Sequence, residues 1–276
     1  MHPALVRARN ARLGESSPRP RRRLLESDRT EMQTLETMLR ESLWAKALDA
    51  QEMERVLASA FERRVAVGGY AVRQGEPAEH WIGVIDGLAK MSVSQPDGRI
   101  STFTGVTAGG WFGEGSLLQT GRWRYDAVAV RETRLACVPR HAFEHLVSSN
   151  FAFNRFLLAQ LNARLSLFIG LVEFDRLLGP DARVARCLAS LFDPSLYPRT
   201  DSFLQLSQEE VGLLAAVSRQ RANEALHELA RRGLLRVEFG GVTVLDLAGL
   251  RSYCGSNEPP HAAAPTRRPL LRRAAA

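Results

Sequence analysis

The sequence predicts an α+β fold: an N-terminal antiparallel β-roll, a long dimerisation helix and a C-terminal winged helix-turn-helix domain. Three observations lead there. Between Val65 and Pro139, short runs rich in Val, Ile and aromatic residues alternate with glycine-containing turns. From Phe151 to Leu178 the chain runs without proline in a helical pattern. Between Leu206 and Leu245, two capped helical segments, a glycine stop and a Gly-Gly hairpin follow one another.

Each element can be justified in order. Residues 1–33 form an Arg-rich tail without apolar periodicity, expected to be disordered, and residues 253–276 repeat that composition. Met32 and Met38 leave open a later start, with the Arg-rich piece as an upstream extension. From Thr34 to Arg64 the residues Leu35, Met38, Leu39, Leu43, Ala47, Met53, Val56, Leu57 and Phe61 recur every three or four positions, as one or two amphipathic helices require. Strands are expected at Tyr70–Arg73, Trp81–Ile85, Leu88–Ser94, Ile100–Thr104, Ala127–Val130 and Arg134–Val138, with Pro96-Asp97-Gly98 as a turn. Residues 34–150 thus make a roll-like sensor domain.

The run 151–178 has about 28 residues, or roughly 42 Å of helix. Heptads counted from Phe151 place Phe151, Asn154, Leu158, Leu161, Leu165, Phe168 and Val172 at the seam positions, with Asn154 as a register device. Phe156, Leu157, Ile169 and Leu171 form a second apolar set. A helix apolar on two sides is expected to pack on its own domain and on a second copy of the chain, through Leu158, Leu161, Leu165, Phe168 and Val172. Gly179-Pro180-Asp181 ends it.

Residues 179–252 form a smaller unit. After a helix over Ala182–Phe192, Ser207-Gln208-Glu209-Glu210 reads as a capping box. Ala215-Ala216-Val217 turns the chain, Ser218 caps a second helix and Gly233 stops it. Leu235–Phe239 and Val242–Leu245, joined at Gly240-Gly241, make a hairpin wing. On the second helix, Ala222, Ala225, Leu226 and Leu229 share the inner face. Gln220, Glu224, His227 and Arg231 lie opposite, flanked by Arg219, Arg221 and Asn223. Arg suits guanine, Gln or Asn suits adenine, and Glu accepts from cytosine, so this face is fitted to base edges. With Ser207 and Ser218 at the caps, Arg219, Gln220, Arg221, Asn223, Glu224 and His227 are the candidate DNA-binding residues.

Composition bounds the alternatives. The net charge is +7, but residues 1–30 hold eight Arg against three acids and residues 255–276 four Arg against one, so the body is nearly neutral. The tails are expected to add non-specific phosphate affinity without base preference. Cys137, Cys187 and Cys254 are too far apart for a zinc ribbon. His80 is expected in a surface loop, and His141 and His145 lack a third ligand, so no metal site is expected. No stretch of 18 apolar residues and no secretory h-region occur, so the cytoplasm, with no membrane association, is the expected location. No Ser/His/Asp set, phosphate loop or GxGxxG supports an enzyme. A metal-dependent enzyme on the roll and a ligand-binding module whose C-terminal helices only pack remain alternatives.

The chain resembles the Crp–Fnr family of transcription regulators across roughly residues 35–250. The resemblance rests on Gly69, Arg73-Gln74-Gly75-Glu76-Pro77, Gly83-Val84-Ile85-Asp86-Gly87, Phe112-Gly113-Glu114 and Ser218-Arg219-Gln220. It implies a cyclic-nucleotide-binding-type roll, a homodimer, double-stranded promoter DNA as ligand and RNA polymerase as partner. It also implies effector contacts at Gly113, Glu114 and Arg124. Cyclic AMP is nonetheless disfavoured and no cofactor is evident. Arg124 is followed by Tyr125-Asp126 where cyclic-AMP-binding members carry small residues, with the Asp126 carboxylate expected to repel an anion. Phe168-Ile169 stand where a purine-contacting Thr-Ser pair is expected.

Overall fold

A computed structural model describes residues 33–94, 100–119, 121–177, 179–200 and 202–253, with the side chains of 171–177 left aside. The two tails, the Pro96-Asp97-Gly98 turn, Cys254 and the side chains of Leu171 and Val172 therefore lie outside the described residues.

The N-terminal segment folds as α1 (Leu35–Glu41), a 3-10 turn (Leu43–Ala47) and α2 (Ala50–Ser59), the last opened by a reciprocal capping box between Asp49 and Glu52. The expected helical pattern stops short of Arg64. Phe61–Val65 is instead β1, paired antiparallel with Thr133–Pro139. Its Glu62 meets Arg134 of that strand, a tertiary pairing that no local period encodes.

Strands β2 (Tyr70–Val72), β3 (His80–Asp86), β4 (Leu88–Ser94), β5 (Ile100–Thr107) and β6 (Trp111–Phe112) follow. Then come the short α3 (Glu114–Leu118), β7 (Asp126–Ala129) and β8 (Thr133–Pro139). Among the described residues these strands form two four-stranded antiparallel sheets, ordered β1-β8-β3-β6 and β2-β7-β4-β5. His80 opens β3 rather than lying in a loop. Its ring is half-buried edge-on to Phe61, with centroids 5.2 Å apart.

After α4 (Arg140–Ser149), the long α5 spans Phe151–Leu177. An aromatic cluster locks the roll to these helices. Trp81 and Trp111 rings lie 4.3 Å apart, Trp44 lies 5.3 Å from each, and Phe153 of α5 closes the group 5.7 Å from Trp81. Trp111 Nε1 donates to Ser42 Oγ at 3.0 Å, so this buried indole is satisfied.

The rest of the chain forms α6 (Pro180–Ser190), β9 (Phe203–Leu204), α7 (Gln208–Ala215), α8 (Arg219–Arg231), the hairpin β10 (Leu235–Glu238) and β11 (Gly241–Val244), and α9 (Leu247–Ser252). Helix α6 starts two residues before the expected Ala182, because proline tolerates the first helical position. This unit sits directly on the roll. Leu214 of α7 packs on Gly105 of β5, and Tyr197 donates to the Gly105 carbonyl at 2.7 Å and lies 3.1 Å from Thr104 Oγ1. Arg131 faces Glu210 at 3.3 Å and also donates to the Gln205 carbonyl.

Candidate nucleic-acid interface and ligand cavity

The helix-turn-helix forms where the sequence places it. Ser207 Oγ accepts from the Glu210 N–H at 3.2 Å, while the Glu210 carboxylate accepts from the Ser207 N–H at 2.6 Å. Ala216 closes α7 with φ of 52°, a left-handed conformation unusual for a residue with a Cβ. Arg183 of α6 donates to its carbonyl at 2.6 Å and pins the turn. Ser218 then caps α8 by accepting from the Arg221 N–H at 3.2 Å.

Helix α8 buries Ala222, Ala225, Leu226 and Leu229 and exposes Ser218, Arg219, Gln220, Arg221, Glu224 and His227. The exposed residues are not equivalent. Arg219 makes no hydrogen bond or ion pair with any described residue, so its fork is available. Gln220 Nε2 donates to Glu224 Oε1 at 3.1 Å and Arg221 Nη1 to Glu224 Oε2 at 2.6 Å. Arg221 also faces Asp181 of α6 at 3.9 Å. Arg221 is thereby drawn toward its own domain, and Glu224 accepts from both neighbours. Asn223 is half-buried and its Oδ1 is a buried atom without a hydrogen-bond partner, so it is less displayed than the helix pattern suggests.

The second site lies between the roll and α5. Glu114, Gly115, Ser116, Gln119, Arg124 and Tyr125 from the roll face Leu161, Arg164, Leu165 and Phe168 from α5 across a cavity of about 350 Å³. Gly113 adopts φ of +106°, and a Cβ there would come within 2.8 Å of the Trp123 ring, so glycine is required by the turn itself. Glu114 is 2% exposed and paired with Arg164 at 3.0 Å, and Arg164 also donates to the Trp111 carbonyl at 2.7 Å. Burial opposes the Arg164 charge, but Glu114, Tyr197 and Tyr125 outweigh it and raise its pKa above the ordinary value. Burial also raises the Tyr125 pKa, with Glu114 adding to the effect, so the phenol stays neutral.

Arg124 is exposed at this cavity and pairs with no described residue. The Asp126 carboxylate accepts from the Gln74 N–H at 2.9 Å and from Ser94 Oγ at 3.2 Å. Tyr125, by contrast, does line the cavity.

The residues expected at a helix seam divide between two roles. Phe151, Leu158, Leu165 and Ile169 are 77%, 67%, 56% and 61% exposed in the single chain. They recur along one stripe of α5, so Ile169 belongs with this exposed stripe and not with Phe156 and Leu157. Leu161 and Phe168 are half-buried and line the cavity, and Phe168 packs edge-on to Phe103 with centroids 5.8 Å apart. The Asn154 amide donates to the Val147 and Asn150 carbonyls at the helix start. Sequence reasoning missed Arg164, which sits amid apolar neighbours without a motif of its own. Among the described residues no cluster of three metal-ligating side chains occurs and no helix is long and apolar enough to cross a membrane.

Residues 62–150 match the cyclic nucleotide-binding domain family and residues 182–253 the Crp-like helix-turn-helix domain. The chain is 30% identical over 185 residues to the transcriptional regulator LdrP of Thermus thermophilus, covering 66% of this chain and 91% of that one. It is also 30% identical over 205 residues to the cyclic AMP receptor protein of Thermus thermophilus, covering 73% and 91%. The fold is shared with FixK2 from Bradyrhizobium japonicum, with a TM-score of 0.57 at 22% identity, covering 72% of this chain and 99% of that one. The chain belongs to the Crp–Fnr family of transcription regulators.

Proposed function

We propose that this regulator binds promoter DNA sequence-specifically as a homodimer, that a small molecule in the roll cavity controls it, and that it acts on RNA polymerase in the cytoplasm. The domain organisation proposed with this reading is the sensor roll at 34–150, the self-association helix at 151–178 and the winged helix-turn-helix at 179–252. The observation that carries the reading is the first turn of α8, where Arg219 and Gln220 stand exposed on a capped helix held by its apolar face. A guanidinium without an internal partner can meet guanine O6 and N7 bidentately without first breaking a contact. Gln220 must release Glu224 before it can pair with adenine, and Glu224 then accepts from cytosine N4 or returns to Arg221. The exposed stripe Phe151, Leu158, Leu165 and Ile169 supports the homodimer, because a second copy would remove it from water.

The test is an electrophoretic shift at fixed salt with promoter fragments against excess non-specific DNA, alongside sedimentation of the free protein. Specific complexes that survive competition, from a protein that sediments as a dimer at micromolar concentration, support the proposal. Binding that competitor abolishes, or a monomer at that concentration, contradicts it.

A further inference from the structure

The cavity between α3 and α5 defines what could fill it more narrowly than the family likeness does. We infer that it takes a small carboxylate with a flat apolar body and one hydrogen-bond donor, rather than a cyclic nucleotide. The inference deepens the effector-controlled regulator proposed above and rests on that reading.

Three observations carry it. The first is charge. Of the two guanidinium groups that the described residues bring to the cavity, Arg164 is engaged by Glu114 and the Trp111 carbonyl, which leaves Arg124 to meet an anion. One exposed fork matches one singly charged anion, carboxylate or phosphodiester, bound through two parallel N–H donors, and the wall decides between them. The second is the wall. Tyr125, Leu161 and Phe168 line the interior, Leu165 stands at the exposed rim, and Phe103 links the Tyr125 and Phe168 rings edge-on at 6.0 and 5.8 Å. A purine laid against the α5 side would press its polar edge on Leu161, Leu165 and Phe168, leaving donors and acceptors unpaired. A hydrocarbon ring pays no such penalty. The third is an unmet acceptor. Glu114 Oε2 and Ser116 Oγ are buried without a hydrogen-bond partner, and both residues line the cavity. An ionised carboxylate oxygen only accepts, so a single N–H or O–H on the ligand would satisfy it. A cavity of about 350 Å³ lies at the small end of ligand pockets and suits a compact molecule.

The experiment uses the full chain and titration calorimetry. Indole-3-propionate, indole-3-acetate and 3-(4-hydroxyphenyl)propionate each combine a carboxylate, a flat apolar body and one donor. The comparison ligands are indole-3-propionamide, cyclic AMP and cyclic GMP. At least one acid should bind at least tenfold more tightly than either cyclic nucleotide, and indole-3-propionate tenfold more tightly than its amide. Arg124→Gln should erase the preference for acid over amide while leaving the unliganded unfolding temperature unchanged. Tighter binding of a cyclic nucleotide, no heat from any acid at millimolar concentration, or an acid preference that survives Arg124→Gln would each overturn the assignment. A DNA shift on the same preparation separates the two levels. Specific DNA binding without acid binding sinks the ligand class alone, whereas acid binding without specific DNA binding upholds the cavity assignment and sinks the regulator reading.

Discussion

Arg219 and Gln220 sit one residue apart on α8, yet they start from different states. Arg219 has no side-chain partner among the described residues to lose, so Arg219→Ala should lower specific binding by roughly tenfold or more, given about 1–3 kcal/mol for a good base contact. Competition shifts at constant salt would measure it, and an unchanged ratio of specific to non-specific affinity would remove Arg219 from base readout. Gln220 is held by Glu224 at 3.1 Å. Gln220→Glu alone would set two carboxylates one turn apart, so the paired change Gln220→Glu with Glu224→Gln is the cleaner probe. It should move the preferred base opposite position 220 from adenine toward cytosine, and any cytosine read by Glu224 toward adenine, while the guanine opposite Arg219 stays.

Glu62 gives a second prediction at this scale. It accepts two hydrogen bonds from Arg134, at 2.9 and 2.7 Å, and these hold its carboxyl below the ordinary value of 4.5 while desolvation works the other way. A lowered carboxyl stabilises the folded state above 4.5, and that contribution is lost as pH falls through the lowered value. Glu62→Gln should therefore cost about 1 kcal/mol at pH 7 and less at pH 3. Denaturant unfolding at the two pH values would show it; an equal loss at both would deny the ion pair its role. Of these residues, the α8 face was legible in the sequence because a helix repeats its environment every turn. The Glu62–Arg134 and Glu114–Arg164 pairs were not, since each joins positions far apart in the chain.

Elements were legible where their period was their own. The strands β4 and β5, the long α5 and the two capped helices α7 and α8 fall close to the positions expected from pattern and caps. β1 does not. Phe61 continues the helical spacing of the preceding segment, but β8 offers its backbone groups five partners along Phe61–Val65 and the tertiary pairing wins. α5 was legible as a helix, but not in the division of its faces. Leu157 and Phe153 point into the core at 3% and 0% exposure, whereas Leu158 and Leu165 point outward. Leu158→Asp with Leu165→Asp should weaken self-association about 100-fold or more, because an unpaired carboxylate buried in the seam costs several kcal/mol. Folding of the single chain should persist. Leu157→Ala should do the opposite, costing about 2–5 kcal/mol of stability while the association constant holds. Sedimentation and thermal unfolding of the two variants would separate the faces, and an association constant unmoved by the double change would place the dimer contact elsewhere.

At the scale of the molecule, the docking of the DNA-binding unit on the roll was invisible in the sequence. Leu214 over Gly105 and Tyr197 on Thr104 and Gly105 are single contacts between segments that share no repeat. Charge distribution was legible, because it is additive. Eight Arg in residues 1–30 and four in 255–276 should supply phosphate contacts, each adding to the salt slope of binding. Removing both segments should flatten the dependence of affinity on salt and leave the preferred sequence unchanged; a changed preference would mean that the tails read bases.

Selection of bound sequences from randomised duplex DNA by the full chain tests most directly that α8 reads DNA from a two-fold symmetric dimer. The expected result is an inverted repeat with half-sites about one helical turn apart, each with a guanine that Arg219→Ala no longer selects. Recovery of no consensus, or of a single unrepeated motif indifferent to Arg219, would contradict it.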